Sequence, residues 1–184
     1  MAEISLRESS PNSTEKGSFC RAKAMVINMF SNSNKKILAV ADGEVLPLQR
    51  VPDEVFSSGM LGEGFAVEPT AGTIYSPVSG SVDSVIETKH AYTVRSEDGL
   101  DILVHIGVDT VKLGGEGFIS LVEEGDKVKA GDIIARADID LIKSHGCPTV
   151  IPVIVSNFED MKSFEVKTGA VRGGKSAAMI YKKS

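Results

Sequence analysis

From Ile37 onward, short apolar and β-branched runs alternate with Gly, Pro and Asp punctuation. ILAV, FAVE, TIYS, SVDSVIET, AYTV, DILVHIGV and VIPVIV all have strand length. Turn dipeptides recur at Asp42-Gly43, Glu63-Gly64, Asp98-Gly99, Glu124-Gly125 and Ala130-Gly131. Only Pro52 to Met60 has room for a helical turn or two. This texture predicts an all-β chain, an antiparallel β-sandwich or barrel-like hybrid with short helical turns. The echo of Ala41-Asp42-Gly43-Glu44-Val45 in Val78-Ser79-Gly80-Ser81-Val82 hints at a duplicated β-unit.

Residues 1–35 have a different pattern. Ser9 to Ser18 is polar and too poor in large apolar groups to fold alone. Within the next stretch, Phe19, Lys23, Val26, Ile27 and Phe30 have roughly helical spacing. The expected organisation is a flexible tail over 1–35, with room for a short amphipathic helix, and a β-rich domain over 36–184. The tail could touch a membrane surface or pack loosely; a start at Met25 or Met29 would make it dispensable.

Alternation also brings two histidines toward each other. Asp98-Gly99 lies between AYTVRS and the run from Leu100 to Gly107, so a two-residue hairpin is the default. Pairing Glu97 with Leu100 puts Tyr92 opposite His105 and Val94 opposite Leu103. His90 then becomes a diagonal neighbour of His105, with Thr88 on the same face. Ile102, Val104 and Ile106 form an apolar stripe on the other. The expectation has an internal conflict, because it places Thr93 and Arg95 on the core face. A one-residue slip would separate the histidines.

Composition narrows the uses of such a pair. The 184 residues include 42% hydrophobic ones, ample for a core. With 25 acidic against 20 basic residues the net charge is −5, which disfavours nucleic acid as a partner. There is no signal-peptide pattern and no apolar run long enough to span a bilayer. Cys20 and Cys147 make no disulfide framework, so a reducing cytoplasm is the expected compartment. Two close imidazoles suit nucleophilic phosphoryl transfer, with one ring attacking and the other donating a hydrogen bond. An incidental zinc at His90 and His105 would lack a clear third ligand. Strand histidines satisfied by backbone or water are the plain alternative. His145, in a turn-like setting, reads as an exposed loop residue.

Several segments then resemble a known family in order and spacing. These are Val51-Pro-Asp-Glu-Val-Phe56, Thr88-Lys-His-Ala91, Leu103-Val-His-Ile-Gly-Val-Asp-Thr-Val111, Gly115-Glu-Gly-Phe118, Glu124-Gly-Asp-Lys-Val-Lys-Ala-Gly131 and Ile151-Pro-Val-Ile-Val-Ser-Asn157. Together they resemble the glucose-family IIA component of the bacterial phosphoenolpyruvate-dependent sugar phosphotransferase system. The resemblance covers roughly residues 37–183, and the His105 segment is its most specific part. It implies a β-sandwich with its site in a shallow depression on a sheet face.

By that resemblance His105 is phosphorylated by the phosphocarrier protein HPr and passes the group to a IIB domain of a sugar permease. His90 assists and Thr88 orients it. Gly107 supplies a carbonyl that holds the His105 ring, and Asp53 and Asp109 lie at the rim, where turn or cap chemistry would serve equally. Nearby carboxylates such as Asp109 would raise the histidine pKa values. Val55, Phe56, Met60, Ile86, Leu103 and Val111 match an apolar docking ring, although several could simply fill the core. No cofactor is implied. The alternative function is a regulatory protein whose phosphorylation state controls permeases or metabolic enzymes. A zinc endopeptidase on a related scaffold is a third, distinguished by bound zinc in place of acid-labile phosphate.

Overall fold

The structure is a computed structural model and describes residues 34–184. The amphipathic tail segment expected around Phe19 to Phe30 lies outside the described residues. Among those residues, fourteen strands pair throughout in antiparallel fashion, and there are two short α-helices. The all-β expectation therefore holds, and none of these helices is long and apolar enough to cross a membrane.

The site is organised by the eight-stranded sheet. In spatial order its strands are β13 (Gly169–Val171), β2 (Gly43–Pro47), β3 (Glu63–Pro69), β11 (Ile151–Val155), β7 (Asp101–His105), β6 (Ala91–Ser96), β5 (Gly80–Val85) and β9 (Lys127–Val128). Two three-stranded sheets complete the fold. One runs β1 (Lys35–Leu38), β14 (Ala177–Lys183), β12 (Met161–Val166); the other runs β4 (Thr73–Tyr75), β10 (Ile133–Ala137), β8 (Phe118–Ser120).

Alternation sorts the two faces of β6 and β7. Tyr92, Val94, Ile102 and Val104 are buried in the main core, whereas Leu103 and His105 are half-buried on the opposite face. Burying each such aliphatic side chain contributes about 1.5–3 kcal/mol. On the histidine side, a smaller apolar cluster joins Leu48, Val51, Phe56, Ala66, Val108, Val150 and Ile154, with Leu103 packed against it.

The hairpin register differs by one residue from the expected pairing. Ala91, rather than Tyr92, lies opposite His105, and Val94 pairs with Ile102. Ser96 pairs across to Leu100, so the loop contains Glu97, Asp98 and Gly99 instead of two residues. Gly99 takes the left-handed conformation at φ 89°, as a three-residue hairpin loop favours. Ser96 Oγ accepts from Leu100 N at 2.8 Å and donates to Asp98, closing the loop from within. The slip also resolves the conflict noted above: Thr93 and Arg95 leave the core face, and Tyr92 and Val94 enter it.

Candidate functional site

Three turns meet at the end of β6 and β7. The first is Ile86 to His90, which leads into β6. It is closed by Lys89 N donating to Ile86 O at 2.7 Å and Ile86 N donating to Ala91 O at 3.1 Å. The second follows β7, where Gly107 has φ 73°. A Cβ on Gly107 would lie 2.6 Å from Thr110 Cγ2 and 3.0 Å from Pro148 O, so only glycine fits there. The third is helix α1 (Glu54–Ser57), capped by Asp53, whose side chain accepts from Phe56 N at 3.1 Å.

These turns bring His90 and His105 together despite the altered register. Their ring centroids are 4.9 Å apart, nearly edge-on at 77°. The main chain ties the turns as well, with Ile106 N donating to His90 O at 2.7 Å. His105 Nδ1 lies 2.7 Å from Gly107 O. A carbonyl can only accept, so Nδ1 carries the proton and the neutral ring keeps its lone pair on Nε2. Thr88 Oγ1 lies 2.6 Å from His90 Nδ1, so the two side chains share a hydrogen bond.

The surroundings favour the neutral form of both rings. Burial pushes the His105 imidazole below the ordinary histidine value; the Gly107 carbonyl and the Asp53 charge oppose this without reversing it. His90 is lowered first by burial and then by repulsion from His105. The expectation that Asp109 would raise histidine pKa values is not met. Asp109 pairs with Lys112 at 2.6 Å on the surface, and Asp53 is the carboxylate that acts on His105. The arrangement favours an unprotonated Nε2 on His105, with the His90 ring beside it.

The residues expected to dock partners divide into two groups. Val55, Met60, Ile86 and Val111 are exposed, with Met60 reaching 80%. Phe56 is buried and stands 5.0 Å from the His105 ring, centroid to centroid, while Leu103 is half-buried beside it. Phe118, which sequence reasoning left without a role, lies 6.5 Å from the His90 ring. Its place in Gly115-Glu-Gly-Phe118 was the available signal. His145 is exposed at the end of α2 (Ile139–Ser144), as expected. Among the described residues no group of three His, Cys, Asp or Glu side chains is arranged to hold a metal.

Residues 35–161 match the family described as phosphoenolpyruvate-dependent sugar phosphotransferase system, EIIA 1. The PTS system glucose-specific EIIA component of Staphylococcus epidermidis is 43% identical over 136 residues, covering 74% of this chain and 82% of the relative. The glucose-specific EIICBA component of Streptococcus pneumoniae is 45% identical over 152 residues, 82% of this chain but only 21% of that longer protein. In three dimensions the glucose permease IIA from Mycoplasma capricolum superposes with a TM-score of 0.75 at 39% identity, covering 82% of this chain and 97% of the other. Sequence match, shared fold and paired histidines lead to one assignment: the chain belongs to the EIIA 1 family of the phosphoenolpyruvate-dependent sugar phosphotransferase system.

Proposed function

We propose that this chain is a cytoplasmic phosphoryl carrier that takes the group onto His105 Nε2 from HPr and passes it to a IIB domain. The observation that carries the reading is the His105 ring, anchored through Nδ1 to Gly107 O at 2.7 Å with His90 beside it. In the forward step the Nε2 lone pair attacks phosphorus, an N–P bond forms, and the donor's bond to phosphorus breaks. The step reverses in kind when the IIB acceptor attacks.

Placement and charge stabilisation can supply most of the catalysis for such a transfer. If the Thr88 hydroxyl donates to His90 Nδ1, the His90 proton sits on Nε2 and can reach a phosphoryl oxygen. A neutral donor of this kind holds the group without the fixed charge of a Lys or Arg clamp, which suits a shuttle. The exposed Val55, Met60, Ile86 and Val111 form the apolar ring on which both protein partners dock. The match to an EIICBA component supports IIB as the acceptor.

Incubation with phosphoenolpyruvate, enzyme I and HPr, followed by mapping of the acid-labile phosphate, tests the proposal. Label is expected on His105 and absent from His105→Ala. Label retained by that variant, or mapped elsewhere in the native chain, would overturn it.

A further inference from the structure

Strict strand alternation does not account for the position of His90. With Ala91 opposite His105, an uninterrupted β6 would turn His90 to the core face with Tyr92 and away from His105. The alternation is broken just before the strand. His90 lies in a bend outside β6, and the preceding Lys89 is left-handed at φ 59°. Only Lys89 and Asp109 among the described non-glycine residues have positive φ, and both lie in turns attached to the histidine strands. A non-glycine residue with a long side chain pays a steric penalty there, so the surrounding structure must hold it.

The holding contacts are visible. Lys89 N donates to Ile86 O, Ile86 N donates to Ala91 O, and His90 O accepts from Ile106 N. Thr88 and His90 flank Lys89, and the 2.6 Å contact between their side chains spans it. The direction of the chain at Lys89 therefore fixes both the Thr88–His90 contact and the approach of His90 to His105. The Lys89 side chain makes no ion pair among those found in the described residues.

We propose that Lys89 is a positioning residue whose left-handed backbone, rather than its ammonium group, sets His90 against His105. The proposal rests on the carrier reading for its functional consequence, but its geometry can be tested without any phosphoryl donor.

The experiment compares full-length Lys89→Val, Lys89→Gly, Lys89→Asn and Lys89→Arg with the native chain. Glycine and asparagine accept the left-handed region, whereas a β-branched residue resists it. The first readout is the nuclear Overhauser contact between the His90 and His105 ring protons. The second is the initial rate of transfer from phosphorylated HPr. Lys89→Val is expected to lose the ring contact and to transfer about tenfold more slowly or worse. Lys89→Gly and Lys89→Asn should keep the contact and stay within about threefold of native, and Lys89→Arg should resemble native.

Gly and Asn variants as slow as Val would overturn the proposal in favour of the ammonium group. A Val variant with native contact and rate would overturn it too. If Lys89→Val fails to fold, Lys89→Ala replaces it and must be slower than both Gly and Asn. If His105 proved not to be the phosphorylated residue, the ring-contact series would still decide the positioning claim by itself.

Discussion

The β6–β7 hairpin ends in chemically opposite ways. At its closed end Asp98 is saturated: Lys35 and Tyr181 donate to its carboxylate at 2.9 and 2.8 Å, Ser96 donates to it as well, and Lys183 reaches its carbonyl. Burial alone would raise that carboxyl, but the bonds from Ser96, Lys35 and Tyr181, with the Lys35 charge, outweigh it and leave a pKa of about 2. At the open end burial favours the neutral histidine rings, and His105 Nε2 has no protein partner among the hydrogen bonds of the described residues. One end spends its polar groups on stability; the other leaves a nitrogen free for chemistry. Substitutions at the two ends should therefore separate cleanly, with transfer lost at one and stability at the other.

The largest separation is expected from His90→Gln. Glutamine keeps an amide donor but cannot set it where the imidazole Nε2 lies, and loss of an aligned donor to developing charge typically slows a reaction by about 10²–10³-fold. Phosphoryl transfer to the IIB partner should fall by at least the lower part of that range. His105 would still accept label slowly, and the melting temperature should move little. Rapid-quench transfer kinetics combined with calorimetry make the check. Unchanged transfer would remove His90 from the mechanism and leave the open end with a single working residue.

Asp98→Asn is the mirror experiment. The fall from 3.8 to about 2 corresponds to roughly 1–2 kcal/mol once solvent screening is allowed for. Because the folded pKa is depressed, this stabilisation is present above the unfolded value. It is lost as pH falls through the folded one. Native and variant stabilities should thus differ at pH 7 and converge between about pH 4 and pH 2, as denaturant melts across that window would show. Transfer by the variant at neutral pH should match native. A large loss of transfer would mean that the two ends are coupled through the hairpin.

The same contrast explains what could be read from the sequence. β6 and β7 were legible because alternation reports burial directly, and β11 because it is a continuous apolar run of strand length, buried on both faces. β12 was not: four of its six residues are exposed, so Met161–Val166 carries no such pattern. The hairpin register failed for a different reason. Asp98-Gly99 is compatible with loops of two or three residues, and besides the local Ser96 bonds Asp98 is held by partners 63 and 83 residues away, Lys35 and Tyr181, which no local pattern reveals. The histidine pairing was anticipated on a register that proved wrong. What brings the rings together is a left-handed lysine, and nothing in the composition of Thr88-Lys-His-Ala91 announces that. The family resemblance named two histidines that the structure does bring together, where local patterning supplied the wrong geometry.

The smallest effect, and the most discriminating within the open end, belongs to Thr88→Val. Valine keeps the shape of threonine and removes only the hydroxyl that lies 2.6 Å from His90 Nδ1. Two consequences follow from that loss. The His90 ring loses the partner that selects its tautomer, so with the hydroxyl as donor its proton would no longer be held on Nε2, and the ring is freer to turn. Transfer should fall about three- to tenfold, less than for His90→Gln, because the donor is still present and only its orientation is diluted. The double variant Thr88→Val, His90→Gln should be no slower than His90→Gln alone, since the hydroxyl acts only through the ring it orients. Additive losses in that cycle would instead place Thr88 in direct contact with the phosphoryl group. Nitrogen chemical shifts of His90 in the single variant would then show an unchanged tautomer.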